Sequence, residues 1–205
     1  MTAAEPSSSP DIAAAQAART IALQMLEERG RGAVLVGVAR VDAALEHLLQ
    51  AVMAPSTVKS DGLFLPERPL GSIGAKVALA SRLGLIDEPV ERALNVLRKL
   101  RNAFAHSAES ASLGDPAHSS RLADAYADAR SNPLWTPLET VLAAQPPSAH
   151  GPLEPVLRDY ILLITILVAF LEATAQQLQP MRPSVRMGLS GVTSLNRRAT
   201  GTGHL

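Results

Sequence analysis

The sequence predicts an all-α fold, a helical bundle flanked by two disordered tails. Three observations carry this reading. Apolar residues recur at spacings of three and four, as at Val90, Leu94, Leu97 and Phe104. Hydrophobic residues make up 47% of the chain and aromatics only 3%, so Ala and Leu, both strong helix formers, must fill the core. The longest apolar run, Tyr160 to Leu171, is bracketed by Asp159 and Glu172. It is shorter than the about 20 residues that cross a bilayer, so it reads as a central bundle helix covered on nearly all sides.

Length and composition narrow the function classes. The 205 residues suffice for one packed domain over 11–179, with a disordered N-terminal tail over 1–10 and a disordered basic tail over 180–205. Lys plus Arg and Asp plus Glu are 19 each. A net charge of zero argues against a broad nucleic-acid surface, although a small local site remains open. The absence of cysteine excludes disulfides, zinc–thiolate centres and thiol catalysis, and fits a reducing cytoplasm. The N-terminus lacks the basic start and apolar core of a secretory signal. Neither a membrane nor a cofactor is expected.

In chain order, Asp11 is placed to cap a first helix running to about Arg29, with Ile21, Met25 and Leu26 inward. Gly30 and Gly32 break it. A second helix spans about Ala33 to Met53, with Leu35, Val38, Val41, Leu45 and Leu49 toward the core. Asp42 and Glu46, four apart, form an acidic ridge on it. The ridge is either a solvated face or the partner of Arg101 or His106. Pro55 to Pro69 is a long loop carrying Lys59, Ser60 and Asp61, read as a strap pinned by Leu63, Phe64 and Leu65. A helix over about Ser72 to Leu83 closes at Gly84. Asp87, Glu88 and Pro89 then give a capping residue, an acidic first turn and an early proline, the clearest helix start in the chain. Shorter helices follow at about Ser119–Ala129 and Leu138–Ala144, with Trp135 in the turn between them. The last strong helix covers about Pro155 to Leu178. The tail beyond Pro180 holds Arg182, Arg186, Arg197 and Arg198 and no acid.

The stretch Arg101-Asn102-Ala103-Phe104-Ala105-His106 closes the helix that starts at Glu88. The stripe Val90, Leu94, Leu97, Arg101, Phe104 puts Arg101 on the inward side, where an arginine requires an anion, a carboxylate or a subunit interface. Asn102 and His106, four apart, share a face. Arg101 and His106, five apart, lie roughly 140° from each other around a regular helix. They converge only through the reach of arginine, an irregular last turn or a second copy of the chain. The structural alternative is that Arg101 ties helices together through Asp42 or Glu46 while Asn102 and His106 cap the helix end. His47, His118, His150 and His204 are scattered without metal-ligand spacing, so no metal site is expected. No phosphate-binding Gly-rich loop, nucleophile elbow or paired catalytic carboxylates are present in the sequence.

Two segments carry a family resemblance. Leu70-Gly71-Ser72-Ile73-Gly74-Ala75-Lys76-Val77-Ala78-Leu79-Ala80 with Leu83-Gly84-Leu85-Ile86, followed by Leu97-Arg98-Lys99-Leu100-Arg101-Asn102-Ala103-Phe104-Ala105-His106-Ser107, resembles the mannitol operon repressor (MltR-like) family. The likeness covers roughly Ala33 to Ser107. That family is all-α and described as transcriptional regulators without an evident DNA-reading helix, and no short basic recognition helix follows a tight turn here either. The final hexamer also resembles the R-x4-6-H motif of the HEPN superfamily.

The HEPN likeness implies an RNA-binding module, in many members a metal-independent endoribonuclease of toxin or defence type acting as a homodimer. Its implied roles are His106 as general base or acid, Arg101 on the phosphate and Asn102 orienting either. The product would be a 2′,3′-cyclic phosphate. The MltR likeness implies a non-catalytic regulator working through a protein partner, as an antitoxin also would be for the toxin reading.

Overall fold

The computed structural model describes residues 10–28, 30–56, 62–106, 111–146 and 151–194. Among them are seven α-helices: α1 (Pro10–Met25), α2 (Gly30–Val52), α3 (Ile73–Arg82), α4 (Glu88–His106), α5 (Pro116–Arg130), α6 (Trp135–Ala143) and α7 (Pro155–Gln177). A 3-10 turn at Gly62–Phe64 and a hairpin of β1 (Val185–Gly188) and β2 (Gly191–Ser194) complete them. The all-α bundle follows the apolar periodicity of the chain.

The predicted central helix is α7. Every residue from Tyr160 to Ala169 is buried, as expected of a helix apolar on all sides. It packs on α1 and α2, with α5 and α6 covering the rest. Helices α2 and α7 run in the same direction. Near their starts Tyr160 donates its hydroxyl hydrogen to the Val34 carbonyl at 3.1 Å, and near their ends His47 Nδ1 lies 2.9 Å from Glu172 Oε1. Gly37 permits this approach, since a Cβ there would stand 2.7 Å from the Tyr160 hydroxyl oxygen. On the outer side of α2, helices α3 and α4 pack against it and against each other.

The caps of α3 and α4 obey the local sequence. Ser72 precedes α3 in extended backbone, and its Oγ accepts from Ala75 N at 3.2 Å. At the other end Gly84 takes φ +67, with Gly84 N donating to Ser81 O and Leu85 N to Ala80 O, both at 3.0 Å. That pair of bonds is the Schellman motif. Asp87 Oδ1 accepts from Val90 N at 3.0 Å and starts α4 as predicted.

Several expectations need correction. Helix α1 ends at Met25 rather than near Arg29, and Gly30, at φ +50, opens α2 instead of breaking the helix before it. Val34 takes the inward position in place of the half-buried Leu35. Helix α5 begins at Pro116, and Trp135 opens α6 as a buried residue rather than sitting in a turn. The strap is pinned by Phe64 while Leu65 is exposed. In the tail expected to lack structure, residues 185–194 form the hairpin. Residues 1–9 and 195–205, expected to be disordered, and Lys59, Ser60 and Asp61 of the loop lie outside the described residues.

One polar network ties α5, α6 and α7. Asp159, nearly buried, is held by Arg130 at 2.6 Å and by Arg158 at 2.8 Å, and Arg158 also reaches Glu139 at 3.1 Å. The Arg130 guanidinium lies over the rings of Tyr126 and Trp135.

The two tyrosines of the chain are both buried. Burial raises the Tyr160 pKa above its ordinary value of 10.0, with a smaller push from Tyr126. Burial, then Asp159, likewise raises Tyr126 against the opposing effect of Arg130. A raised acid pKa in the folded state stabilises the fold fully below the unfolded value, and that contribution is lost as pH climbs past it. Stability should therefore be flat as pH approaches 10.0 and fall above it. In an alkaline titration followed by near-ultraviolet absorbance and circular dichroism, tyrosinate should appear only together with loss of helix.

Candidate functional site

The site begins with a buried cation absent from the sequence-based reading. Lys76 of α3 points into the interface with α2 and is only 2% exposed. Its Nζ donates to Glu46 Oε2 at 2.8 Å and lies 3.0 Å from Asp42 Oδ1, the latter without hydrogen-bond alignment. Gln50 donates to the other Glu46 oxygen at 3.3 Å. Phe64 of the strap closes the pocket, with the ammonium 5.9 Å from its ring centroid. The acidic ridge of α2 is therefore neither a wholly solvated face nor the partner of Arg101 or His106. It is the counter-charge of Lys76.

Among the described residues, that pairing leaves Arg98 and Arg101 of α4 without a carboxylate partner, whereas Arg92 on the same helix pairs with Glu88 and Asp128. Arg101 is exposed, which corrects its predicted inward position. The inward stripe of α4 is Ala93, Leu94, Leu97, Leu100 and Phe104. Leu100 fills the space next to Leu97, and Arg101, one residue on, falls at the stripe's outer edge. Asn102 and His106 are exposed as well. Among the described residues, none of these three side chains has a hydrogen-bond or ion-pair partner.

Arg98, one turn before Arg101, joins them. Its stem crosses the first turn of α3, so close that a Cβ on Gly74 would stand 3.3 Å from Arg98 Cδ. Its Nε is buried with no hydrogen-bond acceptor, and a half-buried guanidinium without an anion is costly. Arg98, Arg101 and Asn102 line a cleft of about 330 Å³ whose other walls are α2, at Val38 and Asp42, and the start of α3 at Ser72–Gly74. The first-turn N–H groups of Ile73 and Gly74 have no helical acceptor, and the positive end of the α3 dipole faces the same space. Lys76 offsets one of the two nearby carboxylates, and the two arginines outweigh the other. The cleft is thus built to accept a small anion with several oxygens.

His106 does not line this cleft. It is the last residue of α4, where Arg31 of α2 donates to the Ala105 carbonyl at 2.9 Å and so answers the negative end of the helix. Inside the same turn Phe104 is buried against the His118 ring, at 5.2 Å between centroids, which fixes the end of α4 on α5. One chain thus brings Arg101 and Asn102 together with Arg98 and leaves His106 on the adjoining surface. Arg98 was missed by the sequence reading although it precedes Arg101 by three, a helical neighbour spacing. Arg31 carries no such signal, because its position depends on how α2 meets α4.

Among the described residues, no group of three or more His, Asp or Glu side chains could hold a metal ion, and no helix is long and apolar enough to cross a membrane. Comparison of the chain with family models, with curated proteins and with solved structures finds no match.

The Lys76 tie can be tested directly. Removing one partner of a buried ion pair costs about 3–5 kcal/mol. The carboxylates here are about one third exposed, so solvent screening reduces the expected loss for Lys76→Met to about 2 kcal/mol. Urea denaturation should show this loss, and Glu46→Gln in the same chain should recover part of it.

Proposed function

We propose that the chain is an HEPN-like RNA-binding module in which Arg98, Arg101 and Asn102 hold a backbone phosphate at the start of α3. The reading is carried by one observation: two arginines and an asparagine whose side chains have no partner among the described residues line the same cleft as a helix N-terminus. A phosphodiester supplies two unesterified oxygens to the guanidinium forks, the contact arginine makes best. A small local site of this kind is compatible with a chain of zero net charge.

Metal-independent cleavage extends the proposal. His106, exposed beside the cleft, would take the proton of the ribose 2′-hydroxyl. The 2′-oxygen would then attack the adjacent phosphorus and the bond to the 5′-oxygen would break. A second acid must protonate that leaving oxygen, and His106 of a second copy is the group with suitable chemistry. The products are a 2′,3′-cyclic phosphate and a 5′-hydroxyl. Arg101 would stabilise the charge on the phosphorane-like transition state. Toxin or defence systems are the setting such an activity suits.

A second reading has an observation of its own. A regulator of the MltR-like kind, acting through a protein partner without direct DNA reading, needs an exposed apolar face. Phe170, 39% exposed on α7, stands in one.

The test combines binding and cleavage of short single-stranded RNA in EDTA. Arg98→Ala and Arg101→Ala should each weaken binding about tenfold, one lost charge-assisted contact. His106→Ala should bind like the unaltered chain and leave the RNA uncut, whereas the unaltered chain yields cyclic-phosphate ends. Binding unchanged in both arginine variants overturns the reading. Binding without cleavage by the unaltered chain removes the nuclease step and leaves the binding module.

A further inference from the structure

The hairpin at Val185–Ser194 is an amphipathic element with none of the described residues over its apolar side. Every residue from Gln179 to Val192 is exposed. Met187 faces Val192 across the ladder, and Val185 lies two residues before Met187 on the same face, with Arg186 on the other. Met187 is 81% exposed, and Leu189 at the turn is fully so. A lone two-stranded hairpin is marginal in water, and one that spends three apolar side chains on solvent lacks the burial that would hold it. Its root is fixed, because Met181 N donates to the Val52 carbonyl at 2.8 Å, at the far end of α2.

The body carries a surface of matching character. Two adjoining hollows of about 430 and 460 Å³ share Val90, Ile166 and Leu167 and form one groove between the start of α4, the α5–α6 turn and α7. Phe170 stands at its edge, and its charged lining residues are Asp87, whose Oδ1 accepts from Val90 N, and Asp128, which Arg92 meets at 3.4 Å from outside the groove; both carboxylates keep an oxygen for a further cation. The segment from Pro180 to Ser194 has the opposite balance, Arg182 and Arg186 with no acid. An apolar, acid-rimmed groove and an apolar, basic arm occur on one chain, yet the arm is rooted at the end of α2 and exposed along its length.

We propose that the β1–β2 hairpin is an exchange arm that docks in the α4–α7 groove of a second copy of this chain. Both halves of the contact are present on each copy, so a twofold arrangement uses each of them twice and closes into a dimer. Met187, Val192 and Val185 enter the groove against Val90, Leu167 and Phe170, and Arg186 and Arg182 lie toward the Asp87 and Asp128 rim. The arm is distinct from the Arg98–Arg101 cleft, and its role does not depend on RNA binding.

The chain has no cysteine, which makes disulfide trapping clean. Met187→Cys with Phe170→Cys, oxidised in the full chain, should give a covalent dimer whose linked peptides carry positions 187 and 170 from different copies. Differential isotope labelling of two mixed preparations reads this out. Sedimentation over a concentration series should show a dimer for the unaltered chain, weakened about tenfold or more by Met187→Asp. Met187→Asp and Phe170→Glu chains, each shown folded by circular dichroism, should associate better when mixed than either does alone, because the mixture restores one arm–groove contact. A disulfide within one copy, covalent dimers linked 187 to 187, or a monomer at all concentrations would each overturn the proposal.

Discussion

The contact on which the candidate site depends is Lys76 between Asp42 and Glu46. A buried ammonium of this kind is held only where its counter-charges are close and hydrogen-bonded. Here it does two things at once. It draws α3 onto α2, so that Ser72 and Gly74 at the start of α3 face the last turns of α4. It also engages Asp42, the carboxylate that lines the cleft with Arg98 and Arg101. Among the described residues Arg98 and Arg101 are therefore left without an anion, and the cleft they line holds two arginines against the one carboxylate of Asp42 in a chain of zero net charge.

The bundle was legible because its strongest signals are local. The apolar run Tyr160–Leu171 needed no partner to be recognised as a central helix, and Asp87 with Pro89 marked the start of α4 by capping chemistry alone. Misplaced boundaries share a different cause. Gly30 in the left-handed region opens a helix, and Trp135 opens another, because tertiary packing decides whether an ambiguous turn is completed. The hairpin was invisible for a related reason. Two four-residue strands set in a Gly/Ser/Thr-rich tail are too short to show a period, and only their mutual ladder distinguishes them.

The site was half legible. Arg101, Asn102 and His106 could be singled out by residue type and spacing, and all three prove accessible. Their surroundings could not be read. The stripe Val90, Leu94, Leu97, Arg101, Phe104 passes over Leu100, and spacing alone does not say which of Leu100 and Arg101 turns inward. That depends on the helices packed against it, and Leu100 prevails. The ridge at Asp42 and Glu46 was correctly seen as one face, but its partner lies thirty residues away on another helix, in the case of Glu46 and Lys76. Gly74 looked like a fragment of a family motif. Its physical role is to let the Arg98 stem cross the helix at van der Waals distance.

The placement of a single short helix thus joins a buried ion pair to the open cleft at Arg98 and Arg101. The proposed phosphate site requires both arginines to be uncommitted in the free protein. The most direct measurement is the nitrogen-15 NMR signal of the arginine Nε–H groups, before and after addition of a short single-stranded RNA. The account predicts that the Arg98 and Arg101 signals move together while Arg130, already paired with Asp159, stays in place. Signals of Arg98 and Arg101 that remain unmoved at saturating RNA would contradict it.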